Sequence, residues 1–239
     1  MTISIDLGFA LILYRIFGKT GLYASIILSI LMANLQGPKL TIIWLPVVGN
    51  LQTSLGVILY SGIYFATDLL SEKYGKREAN RAVMAGFATS VMIVVMIFIS
   101  MRFLPSTDPR TAQFSSDVHN AFATLFNFTP RFVFGSLLDY LISQRFDVWI
   151  FHFIKEHTGK KNLWIRNNLS TMSSQALDTF IYSLIVWWGI VDLAVAMQLG
   201  LAKYLFKVLI AMIDTPFIYW GRSWELHEKD WNEFNGKPV

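Results

Sequence analysis

The apolar positions of this chain fall in long blocks instead of the one-sided stripes of a water-soluble helix, with few charges between them. About 20 apolar residues carry a helix across a bilayer, and the blocks predict spans near residues 22–36, 53–70, 83–103, 132–155, 172–197 and 201–219. The expected fold is all-α: a polytopic membrane protein with about six transmembrane helices in one bundle plus a short N-terminal helix. Residues 7–17 are apolar apart from Arg15. At ~1.5 Å per residue they are too short to cross a core of roughly 30 Å, so they predict a short or re-entrant helix. A single integral membrane domain over 1–239 is expected, with 1–20 as the short helix, 22–220 as the six-helix bundle and 221–239 as a cytoplasmic tail.

Pro130 interrupts one block. A span that starts after it is preferred to one over 122–141, because it delivers a basic end to the cytoplasm and puts Asp139, Gln144 and Asp147 at mid-membrane depth. Composition agrees with the pattern: 54% of residues are hydrophobic and 15% charged, and the mean hydropathy is +0.47. The absence of cysteine excludes disulfide frameworks and thiolate metal sites. The chain starts without the basic region and cleavage site of a signal peptide.

Charge orients the bundle. Lys73, Lys76, Arg77 and Arg81 crowd one loop and Lys155, Lys160, Lys161 and Arg166 another, and the positive-inside rule assigns both to the cytoplasm together with Arg222 and Lys229 of the tail. The opposite loops, 37–52 and 104–120, hold few basic residues. Six crossings with both termini cytoplasmic satisfy this bias. The net charge of +4 is then topological, and no basic groove argues for nucleic acid. Trp44, Trp164, Trp187, Trp188 and Trp220 fall near span ends, as an interfacial belt requires.

Polar residues inside the spans are costly, a carboxylate at roughly 2.5–3.5 kcal/mol on insertion scales, and normally face a cavity or a partner. Two consecutive spans carry the same pair at the same spacing, Gln144 with Asp147 and Gln175 with Asp178. At ~100° per residue, Ser136, Asp139, Tyr140, Ser143, Gln144 and Asp147 share one arc. Asn168, Thr171, Gln175, Asp178 and Tyr182 form a second stripe, Ser54, Ser61, Tyr64, Asp68 and Glu72 a third, and Lys203, Lys207 and Asp214 a fourth, followed by Pro216 as a helix breaker. Four polar faces imply a common polar interior. Blander roles compete: hydroxyls such as Ser61, Ser136, Ser143 and Thr171 serve equally as interhelical packing, Asp68 and Glu72 as loop anchors, and Lys207 as a structural ion pair with Asp147 or Asp178. His119 and His152 lack a second histidine at metal-binding spacing. No metalloprotease, nucleophile-elbow or phosphate-loop motif occurs, so no enzyme, metal or cofactor is expected.

The run Phe65-Ala66-Thr67-Asp68-Leu69-Leu70-Ser71-Glu72-Lys73-Tyr74-Gly75-Lys76, Ala33-Asn34, and the block from Gln144-x-x-Asp147 through Trp164-x-Arg166-Asn167-Asn168 and Ser170 to Gln175-x-x-Asp178 resemble the queuosine precursor transporter family, of the vitamin-uptake type. The likeness runs from about residue 17 to 219. It implies uptake of a 7-deazaguanine base, such as the cyano or aminomethyl precursors of queuosine or queuine itself, across the bacterial inner membrane. The candidate substrate-binding set is Asn34, Tyr64, Asp68, Glu72, Tyr140, Gln144, Asp147, Asn168, Gln175, Asp178 and Lys207. Carboxylates suit a guanine-like N–H and amine edge, carboxamides its carbonyl, and tyrosines its face. The implied partners are that small molecule and the lipid bilayer, with a homo-oligomer left open. Alternatives are the substrate-binding subunit of an ATP-driven vitamin-type uptake system, or a membrane-embedded enzyme.

Overall fold

The computed structural model describes residues 2–45, 49–126, 130–159, 161–187 and 192–225. The expectations for Lys160, Trp188, Lys229 and the tail past 225 lie outside the described residues. The elements in chain order are α1 (Thr2–Phe17), α2 (Lys19–Gln36), β1 (Leu40–Leu45), β2 (Gly49–Ser54), α3 (Leu55–Lys73), α4 (Lys76–Ser100), α5 (Ala112–Phe126), α6 (Pro130–Thr158), α7 (Leu163–Tyr182), a π-helical turn (Ser183–Trp187) and α8 (Leu193–Ser223).

Helix α3 is the central post, buried along almost its whole length from Gly56 to Ser71 and packed against α1, α2, α4, α6 and α8. Ser54 caps its start, accepting from the Gly56 amide at 3.1 Å and donating to the Gly37 carbonyl at 2.5 Å. A Cβ on Gly56 would stand 2.5 Å from the Ala33 carbonyl, which is how α2 and α3 come close enough for Asn34 to share a wall with α3. At the other end Gly75, at φ 86°, takes the left-handed conformation that reverses the chain into α4.

The distribution of polarity is inverted relative to a soluble protein. Asp68, Gln144, Asp147, Arg166 and Asn167 have no exposed surface, while Phe9, Met92, Met96, Phe98, Phe134, Trp149, Phe153 and Met212 stand half or more exposed. Among the described residues one helix, α4, is both long and apolar enough throughout to cross a membrane. Helices α1 and α5 are shorter, at 16 and 15 residues, and α3, α6, α7 and α8 carry buried charged side chains.

Several expectations are revised. Helix α6 begins at Pro130, as preferred, because proline's missing donor costs nothing in a first turn. The loop at 37–52 instead contains a two-stranded antiparallel hairpin in which Leu40 pairs with Ser54 and Leu45 with Gly49. The block 172–197 is not one helix: α7 starts earlier, at Leu163, gives way to the π-helical turn, and Leu193 already belongs to α8. Arg166, assigned by its charge to a basic loop, is instead fully buried on α7. Pro216 does not end α8, which continues to Ser223.

Helix α1 runs along α3. Ile3 packs against the cluster of Ile58, Phe206 and Ile210 near the start of α3, and a Cβ on Gly62 would meet Asp6 halfway along it. Tyr14 stacks on Trp224 beside Tyr74 at the far end. Thr2 at the start of α1 and Ser223 at the end of α8 therefore lie near opposite ends of α3. Sixteen residues reach about 24 Å, short for a crossing but sufficient to line the bundle from near one end to the other.

Candidate functional site

Three polar tiers succeed one another down α3. The first is a cavity of about 470 Å³ below the hairpin, walled by α2, α3, α6, α7 and α8. Asp178 and Lys207 form an ion pair across it. The Lys207 ammonium also lies 5.6 Å from the centre of the Tyr60 ring, and that of Lys203 4.8 Å from Tyr182. Asp139 lies beside Asp178, and its Oδ1 meets no hydrogen-bond donor. Asn34 completes the wall from α2, with its amide nitrogen donating to the Ile30 carbonyl at 2.8 Å.

The second tier is wholly buried. Asp68 of α3 faces Asp147 of α6, and each is held from α7, where the Thr171 hydroxyl donates to Asp68 at 3.1 Å and the Ser174 hydroxyl to Asp147 at 2.7 Å. Asn167 donates to Asp214 of α8 at 2.9 Å. Gln144, one turn from Asp147, bonds through neither amide atom, and Asp68, Asp147, Asn167 and Gln175 each keep an oxygen without a donor. Such orphaned groups cost roughly 1–3 kcal/mol each, so their concentration in one layer marks a place built for something besides packing.

The third tier is a lock. Glu72 lies past the apolar stretch of α3 and receives Arg166 through two nitrogens at 2.6 and 3.0 Å, Lys155 at 3.2 Å and Arg222 at 3.1 Å. Arg166 is fully buried and also donates to the Gly159 and Lys161 carbonyls. Burial pushes the Glu72 carboxyl up, but the Arg166 and Lys155 contacts outweigh it and hold it below the ordinary glutamate value. Ends of α3, α6, α7 and α8 are thereby tied to a single carboxylate.

Of the sequence-predicted residues, Asn34, Asp178 and Lys207 line the cavity. Tyr64, Asp68, Gln144, Asp147 and Gln175 are buried below it. Tyr140 turns its hydroxyl to the Val83 carbonyl on α4 while its ring edge meets Tyr60 at 6.3 Å. Asn168 donates to Thr215 of α8 at 2.7 Å, and Glu72 belongs to the lock. Missed as site residues were Tyr60, Asp139, Asn167, Tyr182 and Lys203. Tyr60 lies one turn from Tyr64, so helical phase alone was enough to find it.

An inverted polarity, a tapering polar interior and a solute-sized cavity define a membrane transporter. The chain belongs to the vitamin uptake transporter family: residues 54–221 match the family model described as "Putative vitamin uptake transporter". A "Probable queuosine precursor transporter" of Bacillus subtilis (strain 168) is 36% identical over 211 residues, covering 87% of this chain and 86% of the relative. The "Queuosine precursor transporter" of Escherichia coli (strain K12) is 27% identical over 177 residues, 72% of this chain and 74% of the relative. A third, named "Probable queuosine precursor transporter", from Haemophilus influenzae (strain ATCC 51907 / DSM 11121 / KW20 / Rd), is 26% identical over 167 residues, 69% and 66%. No solved structure matches the chain significantly.

Proposed function

We propose that this protein takes up queuosine precursors, 7-deazaguanine bases with a cyano or aminomethyl substituent or queuine, across the bacterial inner membrane through the cavity beneath the hairpin. The observation that carries the reading is a carboxylate and an ammonium side by side, Asp178 and Lys207, in a cavity with tyrosine walls. A guanine-like edge presents a ring N–H and an exocyclic amine that one carboxylate accepts together, and next to them a carbonyl that an ammonium bonds. Tyr60 and Tyr182 offer ring faces to the base. A volume of about 470 Å³ is within the usual range for small-molecule sites. The relatives' names point to the same solutes.

In this reading α2, α3, α4, α6, α7 and α8 make six crossings. The Glu72 end, rich in Lys and Arg, faces the cytoplasm, and the hairpin and the start of α1 face the opposite side. The cavity then stands open to the outside and the ion-pair lock closes the inside, one half of an alternating-access cycle. Substrate moves by secondary transport or facilitated diffusion.

Uptake of labelled aminomethyl-deazaguanine in cells that neither make nor import it tests this. The intact chain restores uptake, and Asp178→Asn at matched membrane abundance lowers it at least tenfold. No uptake by the well-expressed intact chain overturns the reading.

A further inference from the structure

The second tier is not part of the cavity wall, and its chemistry differs. Three carboxylates, Asp68, Asp147 and Asp214, come together from α3, α6 and α8 with 0–2% exposure. The groups facing them are Tyr64 on α3, Asp147 and Gln144 on α6, Thr171, Ser174 and Asn167 on α7, and Asp214 on α8. None is a cation. The basic side chains nearest in the fold are engaged elsewhere: Lys207 above holds Asp178, and Arg166, Lys155 and Arg222 below hold Glu72. Among the described residues, then, no ion pair neutralises this layer. Buried charge of one sign without a counter-ion is too costly to persist, so the layer must take up positive charge of its own.

The orphaned atoms say what kind. Asp68 Oδ1, Asp147 Oδ2 and Asn167 Oδ1 are oxygens, fully buried and without donors. Oxygens without donors suit a small cation and not an organic base, which needs donors and a face. The three helices α3, α6 and α7 also each contribute to the lock, through Glu72, Lys155 and Arg166. A cation in this layer is thus placed between the solute cavity and the element that closes the inner side.

We propose that Asp68 and Asp147, with Asn167 and Asp214 adjoining, form a binding site for the coupling cation of transport, a proton shared by the two carboxyls or a sodium ion. This rests on the transport reading above, but its first test needs no substrate. The full-length protein, purified in detergent, is unfolded thermally in sodium chloride or choline chloride at equal ionic strength, from pH 5.5 to 8. Proton binding by the folded layer makes the midpoint rise as pH falls, and sodium binding makes it rise in sodium over choline. Asp147→Asn flattens whichever dependence the intact protein shows, and the milder Thr171→Ala, which removes the hydroxyl that favours the ionised Asp68, steepens a proton dependence. A midpoint indifferent to both ions, or a dependence that neither variant alters, overturns the proposal.

Proteoliposomes supply the second test. Accumulation of the deazaguanine base follows an imposed proton or sodium gradient in the intact protein and falls at least tenfold in Asp147→Asn. Transport that equilibrates the base and ignores both gradients overturns coupling while leaving the transport reading intact.

Discussion

The two ends of the polar interior use the same residue types to opposite effect. At the hairpin end two carboxylates, Asp139 and Asp178, share a cavity with two lysines, one ion pair is closed among the described residues, and an Asp139 oxygen has no donor. At the opposite end one carboxylate, Glu72, is surrounded by three cations and the carbonyls that hold them. Unsatisfied groups around a volume make a site for a solute. Over-satisfied groups without a volume make a seal. The difference lies in geometry more than in composition, so a carboxylate inside a membrane helix does not by itself announce what it does.

The lock should give the largest effect. Glu72→Gln leaves Arg166 buried without its anion, and breaking a buried pair costs roughly 3–5 kcal/mol. For a chain of this size that is a fall in the unfolding midpoint of roughly 6–20 °C. Arg166→Met should fall as far, and the double variant should recover part of the loss, since an unpaired charge no longer remains. If Glu72→Gln unfolds at the temperature of the intact protein, the inner end is not a seal and the comparison fails.

The cavity should behave differently, losing transport more than stability. Asp178→Asn, read by uptake, is expected at least tenfold down. Asp178→Asn with Lys207→Met should restore the midpoint without restoring uptake, which separates solute binding from a structural pair. Tyr60→Ala comes next, at roughly five- to thirtyfold in half-saturation if each base–aromatic contact is worth ~1–2 kcal/mol. An equal loss of midpoint and uptake across this series would mean that the cavity, like the lock, is structural.

Much of this interior was legible from helical phase. The stripe on α3 placed Tyr64, Asp68 and Glu72 on one face, and Gln144-x-x-Asp147 and Gln175-x-x-Asp178 marked helices that face each other. Phase could not tell which tier a residue occupies, because depth depends on where the helix begins. Placing Arg166 in a basic loop hid the turn of α7 that carries it into the lock, and with it the Asn167 contact to Asp214. Hydropathy also could not orient α1, whose apolar run is short enough for a surface or re-entrant helix. Its direction comes from contacts far away in sequence, Ile3 on the Ile58, Phe206 and Ile210 cluster and Tyr14 on Trp224. The hairpin left no clear sign because Pro, Gly and polar residues interrupt its alternation.

The smallest expected effect lies on that hairpin. Trp44 on β1 is 67% exposed and pairs through its backbone with Asn50. It stands outside the cavity wall, although its strand neighbour Leu40 lines it. Strand pairing does not need the indole, so Trp44→Ser should shift the unfolding midpoint in detergent by no more than ~0.5 kcal/mol, as for other surface substitutions away from special features. Uptake in cells should change less than twofold. Tryptophan at a membrane interface nonetheless anchors the element that bears it, so the same substitution should lower stability more in liposomes than in detergent. If it instead halts uptake while leaving stability untouched, the hairpin belongs to the solute path and the boundary between cavity and cover must be drawn further out.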